Sequence, residues 1–324
     1  MVQLFYGNRS FALMFLPLLV ILYSILNVYF PYHEPEATAH FGLWGQTLSQ
    51  SNIVSAFIAP AMVFLGAITL NALFNRNDFM ERNNYMVSLL YVTLMSIFHS
   101  FYYLDGFGIS QVFVILALYQ MFYLYQNEDG RRRVFNVGFL LGIASTFYPV
   151  LISVVLVAFW LVWVIRPFVM RESLLLMVGF LIPLMYGGMY SSFMGIKIQN
   201  AEISSAAFEL KIEDILVMGG ICFFMILLSF GAISTKIQQS SIRLKKLFRI
   251  LLILINFTLF LTAFEYLVFH KKEVMALVFV PLMFVLPYSF GYKKLRDVTT
   301  VVYYLMFLFS VGKFLFPLSF LTAE

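Results

Sequence analysis

Five side chains that could carry proton or metal chemistry lie in two short segments of the chain. Glu34 and Glu36 fall in the first segment together with His40, and His99 and Asp105 fall in the second. Carboxylates and imidazoles act as general acids and bases and as ligands of divalent metals. We therefore predict Glu34, Glu36, His40, His99 and Asp105 as candidate catalytic residues.

Both segments also have simpler interpretations. His33, Glu36 and His40 have nearly helical spacing, but Pro35 interrupts it and a solvated polar loop explains the segment as well. No signature such as H-E-x-x-H is present. The sequence therefore predicts no metal ligands, and the cofactor stays unknown, with a divalent metal expected only if the protein is an enzyme. Asp105 either caps the helix that follows it or faces a cavity.

Two basic runs are candidates for binding lipid headgroups or phosphate. Arg131, Arg132 and Arg133 form the first run, and Lys245 and Lys246 lie in the second. Clusters of Lys and Arg beside an apolar helix attract anionic headgroups. The alternative is that these residues only mark the cytoplasmic side of the membrane.

Composition indicates which elements position these residues. The chain has 324 residues, of which 62% are hydrophobic and 11% charged, whereas soluble domains contain about 25% charged residues. Such a chain cannot cover its apolar surface with a polar exterior in water, so we expect lipid to solvate it. The net charge of +5 forms no concentrated basic face, and nucleic acid is not expected as a partner.

Apolar runs long enough to cross a bilayer recur along the whole sequence. The predicted fold is therefore all-α, a polytopic transmembrane helical bundle with about 11 spans, within a range of about 10 to 12. The chain, 1–324, is expected to form a single integral membrane domain without a soluble domain. The predicted spans are 10–30, 54–74, 85–104, 107–125, 134–148, 150–165, 173–190, 214–234, 250–269, 274–290 and 298–318.

Loop charge predicts the orientation, because basic loops stay in the cytoplasm. With the N-terminus inside, most basic residues fall in inside loops, and the histidines fall at the outer face. Two external loops, about 31–53 and 191–213, are longer than simple connectors. Pro149 disfavours a continuous helix through 134–165, so we predict two short helices that turn near Tyr148 and Pro149.

The middle of the chain combines loops and spans in a recognisable order. Its parts are a loop with Arg76 and Arg82, two spans broken at Asp105, the segment Phe135–Pro149, Arg166-Pro167-Phe168 and Arg171-Glu172. This order resembles an uncharacterised family of bacterial multi-pass inner-membrane proteins, known only as a domain of unknown function. The resemblance implies a location in the bacterial inner membrane and carries no molecular role.

The layout is also similar to that of polytopic glycosyltransferases that use lipid-phosphate sugar donors. Those enzymes place a catalytic carboxylate in the first external loop, where Glu34 and Glu36 stand here, and often have a glycine-rich span like Gly138–Pro149. The usual acid in that loop is Asp, and the large soluble domain of many members is absent. The similarity implies a polyprenyl-phosphate lipid as a partner.

Three functions stay open from the residues alone. No Walker phosphate loop, dinucleotide fingerprint or nucleophile elbow is present, which argues against ATP-driven transport by this chain alone. A scaffold or subunit of a cell-envelope assembly needs no motif, and its partners would be the bilayer and envelope proteins. Sugar transfer from a polyprenyl-phosphate-linked donor at the outer face and a transporter or flippase are the alternatives. The sequence does not decide whether the protein is an enzyme.

Overall fold

Helices make up nearly all of the described chain. The computed structural model describes residues 1–7, 11–32, 38–48, 52–124, 130–165, 169–196, 212–269, 272–291 and 295–315. Its helices are α1 (Val2–Tyr6), α2 (Ala12–Tyr29), α3 (Asn52–Arg76), α4 (Met86–Met95), α5 (Gly106–Leu124), α6 (Arg131–Phe147), α7 (Val154–Ile165), α8 (Met170–Phe193), α9 (Ile212–Gln239), α10 (Ile242–Phe269), α11 (Met275–Leu282) and α12 (Arg296–Leu315). In the first loop, the short strands β1 (Thr38–His40) and β2 (Gln46–Leu48) pair antiparallel.

Seven of the described helices are long and apolar enough to cross a membrane. They are Ala12–Tyr29, Val54–Arg76, Gly106–Leu124, Met170–Phe193, Glu213–Gln239, Ile242–Val268 and Arg296–Leu315. The predicted all-α membrane fold is confirmed at this level. The four other predicted spans correspond to shorter or interrupted helices, namely α4, α6, α7 with the 3-10 turn Pro149–Ser153, and α11 with the 3-10 turn Leu286–Phe290.

The outward faces of the long helices are apolar. Phe57 of α3 and Phe193 of α8 have exposed fractions of 75% and 87%, and Phe230 of α9 and Leu267 of α10 are similarly exposed. An apolar surface of this extent is unfavourable in water but is solvated by lipid tails. The exposed apolar side chains therefore agree with the solvation by lipid that the composition predicts.

Helices α6 and α8 pack backbone against backbone. A Cβ added to Gly138 would lie 2.2 Å from the carbonyl oxygen of Leu176, and one added to Gly179 would lie 2.5 Å from that of Phe135. Small residues allow this close approach, which strengthens van der Waals contact between helices in lipid. The glycine-rich segment of α6 therefore has a packing role.

The predicted break at Pro149 is present. Helix α6 ends at Phe147, and Tyr148 is extended, with φ −137° and ψ 95°, before the 3-10 turn Pro149–Ser153 begins. Proline disfavours the helical conformation of the residue before it, which explains the extended Tyr148.

A second break interrupts the predicted span 85–104, which the sequence indicates as one helix. Helix α4 ends at Met95, and a 3-10 turn, His99–Phe101, precedes α5. The hydroxyl of Tyr102 donates a hydrogen bond of 2.6 Å to the carbonyl oxygen of Ser96. A side chain thus satisfies a backbone group that the break releases, as irregular backbone among apolar helices requires.

The first loop lies on the end of α6. Gly42 has a φ of 59°, and a Cβ added there would lie 2.5 Å from the carbonyl oxygen of Thr146, so only glycine fits. The Nε1 of Trp44 donates a hydrogen bond of 3.1 Å to Oγ1 of Thr146, and the ring centroid of Trp44 lies 5.1 Å from that of Tyr190. The turn between β1 and β2 therefore contacts Thr146, which lies two residues before Tyr148 in the chain.

Candidate functional site

Three ionisable side chains from distant parts of the chain converge at the two helix breaks. One donor atom from each of His99, Asp105 and Glu273 lies within 4.8 Å of the others. His99 is 2% exposed, whereas Asp105 and Glu273 are half-buried. We call these residues the triad; one imidazole and two carboxylates can share protons or bind a divalent metal.

The break between α4 and α5 positions the first two members of the triad. His99 opens the 3-10 turn, and its ring stacks on Tyr103 with centroids 5.2 Å apart. Asp105 precedes α5, and its Oδ1 accepts a hydrogen bond of 2.7 Å from the backbone N–H of Gly108. Asp105 therefore caps α5, as one of the two alternatives predicts, and its carboxylate also lies in the triad, where a chemical role stays a prediction.

Glu273 reaches the triad because α11 is tied to α5. The side-chain Nε2 of Gln111, on α5, donates a hydrogen bond of 3.2 Å to the carbonyl oxygen of Ala276, on α11. Gln111 lies six residues after Asp105, and Ala276 lies three residues after Glu273. This bond between buried groups fixes the start of α11 beside the start of α5.

Tyr148 and Glu265 extend the polar cluster beyond the triad. The charges of Glu273, Glu265 and Asp105 all act on the hydroxyl of Tyr148. The ring of Tyr148 packs edge-on against Phe107, with centroids 5.4 Å apart, which brings the end of α6 to the start of α5. The site therefore collects groups from the ends of α5, α6, α10 and α11.

A small cavity of about the size of a water molecule, lined mostly by apolar side chains, lies beside Asp105. Ser100, Gln111 and Tyr91 also line it. Ser100 is 3% exposed, and its hydroxyl oxygen has no hydrogen-bond partner among the residues that the structure describes. A buried hydroxyl without a hydrogen bond destabilises the folded protein unless a ligand or a water molecule binds to it.

The helices that end at the cluster also enclose an apolar cavity. Val114 of α5, Leu141 of α6, Phe257 of α10 and Leu277 of α11 line it, together with α7. Each of these four residues is separated along its own helix from the nearest member of the polar cluster. At a rise of about 1.5 Å per residue, that separation is roughly 6–13 Å. The polar groups and the cavity therefore follow one another along the same set of helices.

The candidate residues of the first loop are only partly described. Glu34 and Glu36 lie outside the described residues, and so does the side chain of His40, whose backbone pairs with Gln46 in the hairpin. The structure brings His99 and Asp105 together. Catalytic roles for all five residues stay predictions.

The predicted phosphate-binding residues lie in the first turns of α6 and α10. The polar cluster lies at the other ends of these two helices. Arg131 and Arg132 are exposed, and Lys245 is exposed beside the half-buried Lys246. Arg133 instead turns inward, because its guanidinium donates a hydrogen bond of 3.0 Å to Gln120. That leaves Arg131, Arg132 and Lys245 as the members of this set best placed to meet a headgroup.

A second buried cluster contains an ammonium group and a carboxylate. Lys313 is 2% exposed and Asp214 is 1% exposed. Lys313 donates a hydrogen bond to the carbonyl oxygen of Ser96, and its Nζ lies 5.0 Å from the ring centroid of Tyr32, whose hydroxyl donates to Asp214. This cluster closes the other side of the break between α4 and α5.

Sequence reasoning does not indicate Glu273 or Tyr148 as site residues. Glu273 is far from His99 and Asp105 along the chain, so no spacing connects them. Tyr148 stands out only as the residue before Pro149. The usable signal is topological, since all these residues fall at ends of predicted spans on the same side of the membrane.

Comparison with known proteins finds no match among family models, curated proteins or solved structures. The resemblances described above therefore stay predictions. Function has to be inferred from the chemistry of the cluster.

Proposed function

We propose that the protein is a polytopic enzyme of the bacterial inner membrane that transfers a sugar or similar group from a polyprenyl-phosphate carrier at the outer face. The observation that carries the proposal is the convergence of His99, Asp105 and Glu273. Ionisable groups are costly inside a membrane protein and are usually retained for function. A scaffold would gain nothing from collecting them, which favours an enzyme.

The apolar cavity supports a lipid-linked donor. A polyprenyl phosphate has a long isoprenoid chain and one anionic end, and the cavity and the polar cluster offer matching environments along the same helices. Mostly apolar sites with a few convergent polar groups are typical of ligand pockets. The part of the donor's chain nearest the phosphate would lie at this cavity among α5, α6, α10 and α11, with the phosphate toward the triad.

The proposed reaction is a displacement at the sugar. The acceptor hydroxyl oxygen attacks the anomeric carbon, and its proton passes to the carboxylate of Glu34 or Glu36, with His40 assisting. The bond between that carbon and the phosphate oxygen breaks, and polyprenyl phosphate leaves with the electron pair. Trp44 and Gly42 hold the described part of the first loop beside the end of α6.

The proposal includes the topology. We place the N-terminus in the cytoplasm and count about eleven spans, with the interrupted helices as shorter crossings. Arg131, Arg132 and Lys245 then face the anionic headgroups of the cytoplasmic leaflet.

A transport function finds less support. It requires polar groups along a path through the bilayer. The buried charged side chains of the described chain are Glu172, Asp214, Glu265 and Lys313, and all four lie near helix ends. They do not trace a path across the bundle.

The proposal is tested with membranes that contain the protein and a panel of radiolabelled polyprenyl-phosphate sugars. We expect labelled product and release of polyprenyl phosphate, both abolished by Glu34→Gln combined with Glu36→Gln and by Glu273→Gln. The matched control is Glu81→Gln, at an exposed carboxylate that pairs with Lys236 at 3.9 Å and lies away from the triad. Absence of transfer from every donor, or unchanged transfer in the variants, would refute the proposal.

A further inference from the structure

The proposed reaction raises an electrostatic difficulty at the triad. A phosphate brought to Asp105 and Glu273 would meet two carboxylates, and like charges at this range repel each other strongly in a medium of low dielectric constant. Lys313, the buried cation at this end, is already engaged with Ser96 and the ring of Tyr32. A cation at the triad itself would remove the difficulty.

We propose that His99, Asp105 and Glu273 form a binding site for one divalent metal ion, Zn²⁺ or Mn²⁺. One imidazole with two carboxylates suits these ions, because imidazole binds zinc well and carboxylate oxygens bind manganese well. Asp105 is fixed by its hydrogen bond to Gly108 N–H, and His99 by its stacking on Tyr103. Two of the three ligands are thus positioned by their own surroundings.

The geometry allows a shared ion. Three atoms that all lie within 4.8 Å of one another have a common centre at most about 2.8 Å from each, and zinc bonds to nitrogen and oxygen are about 2.0–2.2 Å long. Side-chain movements of less than about 1 Å would bring all three donors to bonding distance. Glu273 lies in the half-buried turn that precedes α11.

The small cavity beside Asp105 supplies an independent observation. The buried Ser100 hydroxyl has no hydrogen-bond partner among the described residues, and it lines a space of water-molecule size beside Asp105. A water held there, in contact with Asp105 and Ser100, would complete the surroundings of an ion bound by only three side chains. Metal ligands are commonly oriented by such outer hydrogen bonds.

A catalytic role for the ion rests on the proposed transfer reaction. Binding of the ion to the triad does not. A divalent ion at the triad would hold the donor phosphate, and such an ion also stabilises negative charge on the leaving oxygen. Metal binding is measured without any substrate, so the two proposals fail separately. Metal binding without transfer would refute the enzyme proposal alone, and transfer by a protein that retains neither metal would refute the metal site alone.

The test uses the purified full-length protein, stripped with chelator and titrated with Zn²⁺ and with Mn²⁺, with bound metal counted by mass spectrometry after desalting. We expect about one ion per chain for at least one metal, and a loss of affinity of about tenfold or more in Glu273→Gln and Asp105→Asn. The matched control is Glu81→Gln, which removes an exposed carboxylate that pairs with Lys236 and lies outside the site. It should bind metal as the unmodified protein does.

A second variant keeps the test decisive if the first pair folds poorly. Glu273→Cys replaces a hard oxygen ligand with a soft thiolate, so it should favour Cd²⁺ over Mn²⁺ relative to the unmodified chain. Failure of the folded unmodified protein to retain either metal would overturn the proposal. Equal loss of binding in Glu81→Gln and Glu273→Gln would overturn it as well.

Discussion

Asp105 combines a helix-capping contact with a place in the triad. Its Oδ1 caps α5 through Gly108 N–H at 2.7 Å, while a carboxylate oxygen of the same residue takes part in the triad. Both roles were expected as alternatives, because the residue precedes a glycine-flanked helix start. Its partners His99 and Glu273 could not be assigned from the sequence, because only tertiary packing brings them together.

The two roles of Asp105 can be separated by substitution. Asp105→Asn keeps an oxygen that accepts the Gly108 hydrogen bond, whereas Asp105→Ala removes the cap at a cost of about 1 kcal/mol. We expect thermal unfolding in detergent to show a lower Tm for the Ala variant and a nearly unchanged Tm for the Asn variant, while both lose transfer activity. Equal stability of the two variants would contradict the capping role.

Lys313 and Asp214 provide a second test at the level of single residues. Both are buried, and each charge acts on the other. Lys313→Met keeps the aliphatic volume but leaves Asp214 without the ammonium, and breaking a buried pair typically costs about 3–5 kcal/mol. We expect Lys313→Met and Asp214→Asn each to lower Tm, and the double variant to lose less than the sum of the two. Additive losses would show that the pair does not interact.

At the level of elements, the sequence predicts the helix break at Pro149 but not the break after α4. Pro149 marks the end of α6, because a proline restricts the residue before it. The break after α4 carries no proline, and the run 85–104 reads as one apolar span. The carbonyl oxygen of Ser96 accepts hydrogen bonds from Tyr102, six residues away, and from Lys313 on the distant helix α12. A prediction of spans from hydropathy alone does not take these hydrogen-bond donors into account.

The contact between α6 and α8 predicts a large difference between two glycines. Gly138→Ala would place a methyl group 2.2 Å from the carbonyl oxygen of Leu176, whereas Gly188, on α8, has no atom within 4 Å of an added Cβ. We expect Gly138→Ala to lower the free energy of unfolding by about 1–3 kcal/mol through overpacking. Gly188→Ala should be neutral or stabilising by up to about 1 kcal/mol.

Unfolding in detergent measures both glycine variants. The comparison is matched, since each replaces a helical glycine by alanine in the same helix pair. A Tm for Gly138→Ala equal to that of Gly188→Ala would contradict the close approach of α6 and α8.

For the whole molecule, composition predicted a helical membrane protein, and seven described helices meet the length and hydropathy of a span. The number of crossings is harder to predict, because α4, α6, α7 and α11 are short or interrupted. Their irregular ends are also where His99, Asp105, Tyr148 and Glu273 lie. Interrupted helices weaken the hydropathy signal at the same positions where they bring polar groups together, so the site and the ambiguity in topology have a common physical origin.

The central claim is that the triad lies on the side of the membrane opposite the basic runs, and thiol labelling tests it most directly. Cys222 is buried and can be replaced by serine, which leaves single reporters at Met194→Cys, 56% exposed at the end of α8 beside the first loop, and at the exposed Lys245→Cys. With a membrane-impermeant maleimide on intact spheroplasts, we expect labelling at position 194 and labelling at position 245 only after permeabilisation. Labelling of position 245 from outside, with position 194 protected, would contradict the outward-facing site.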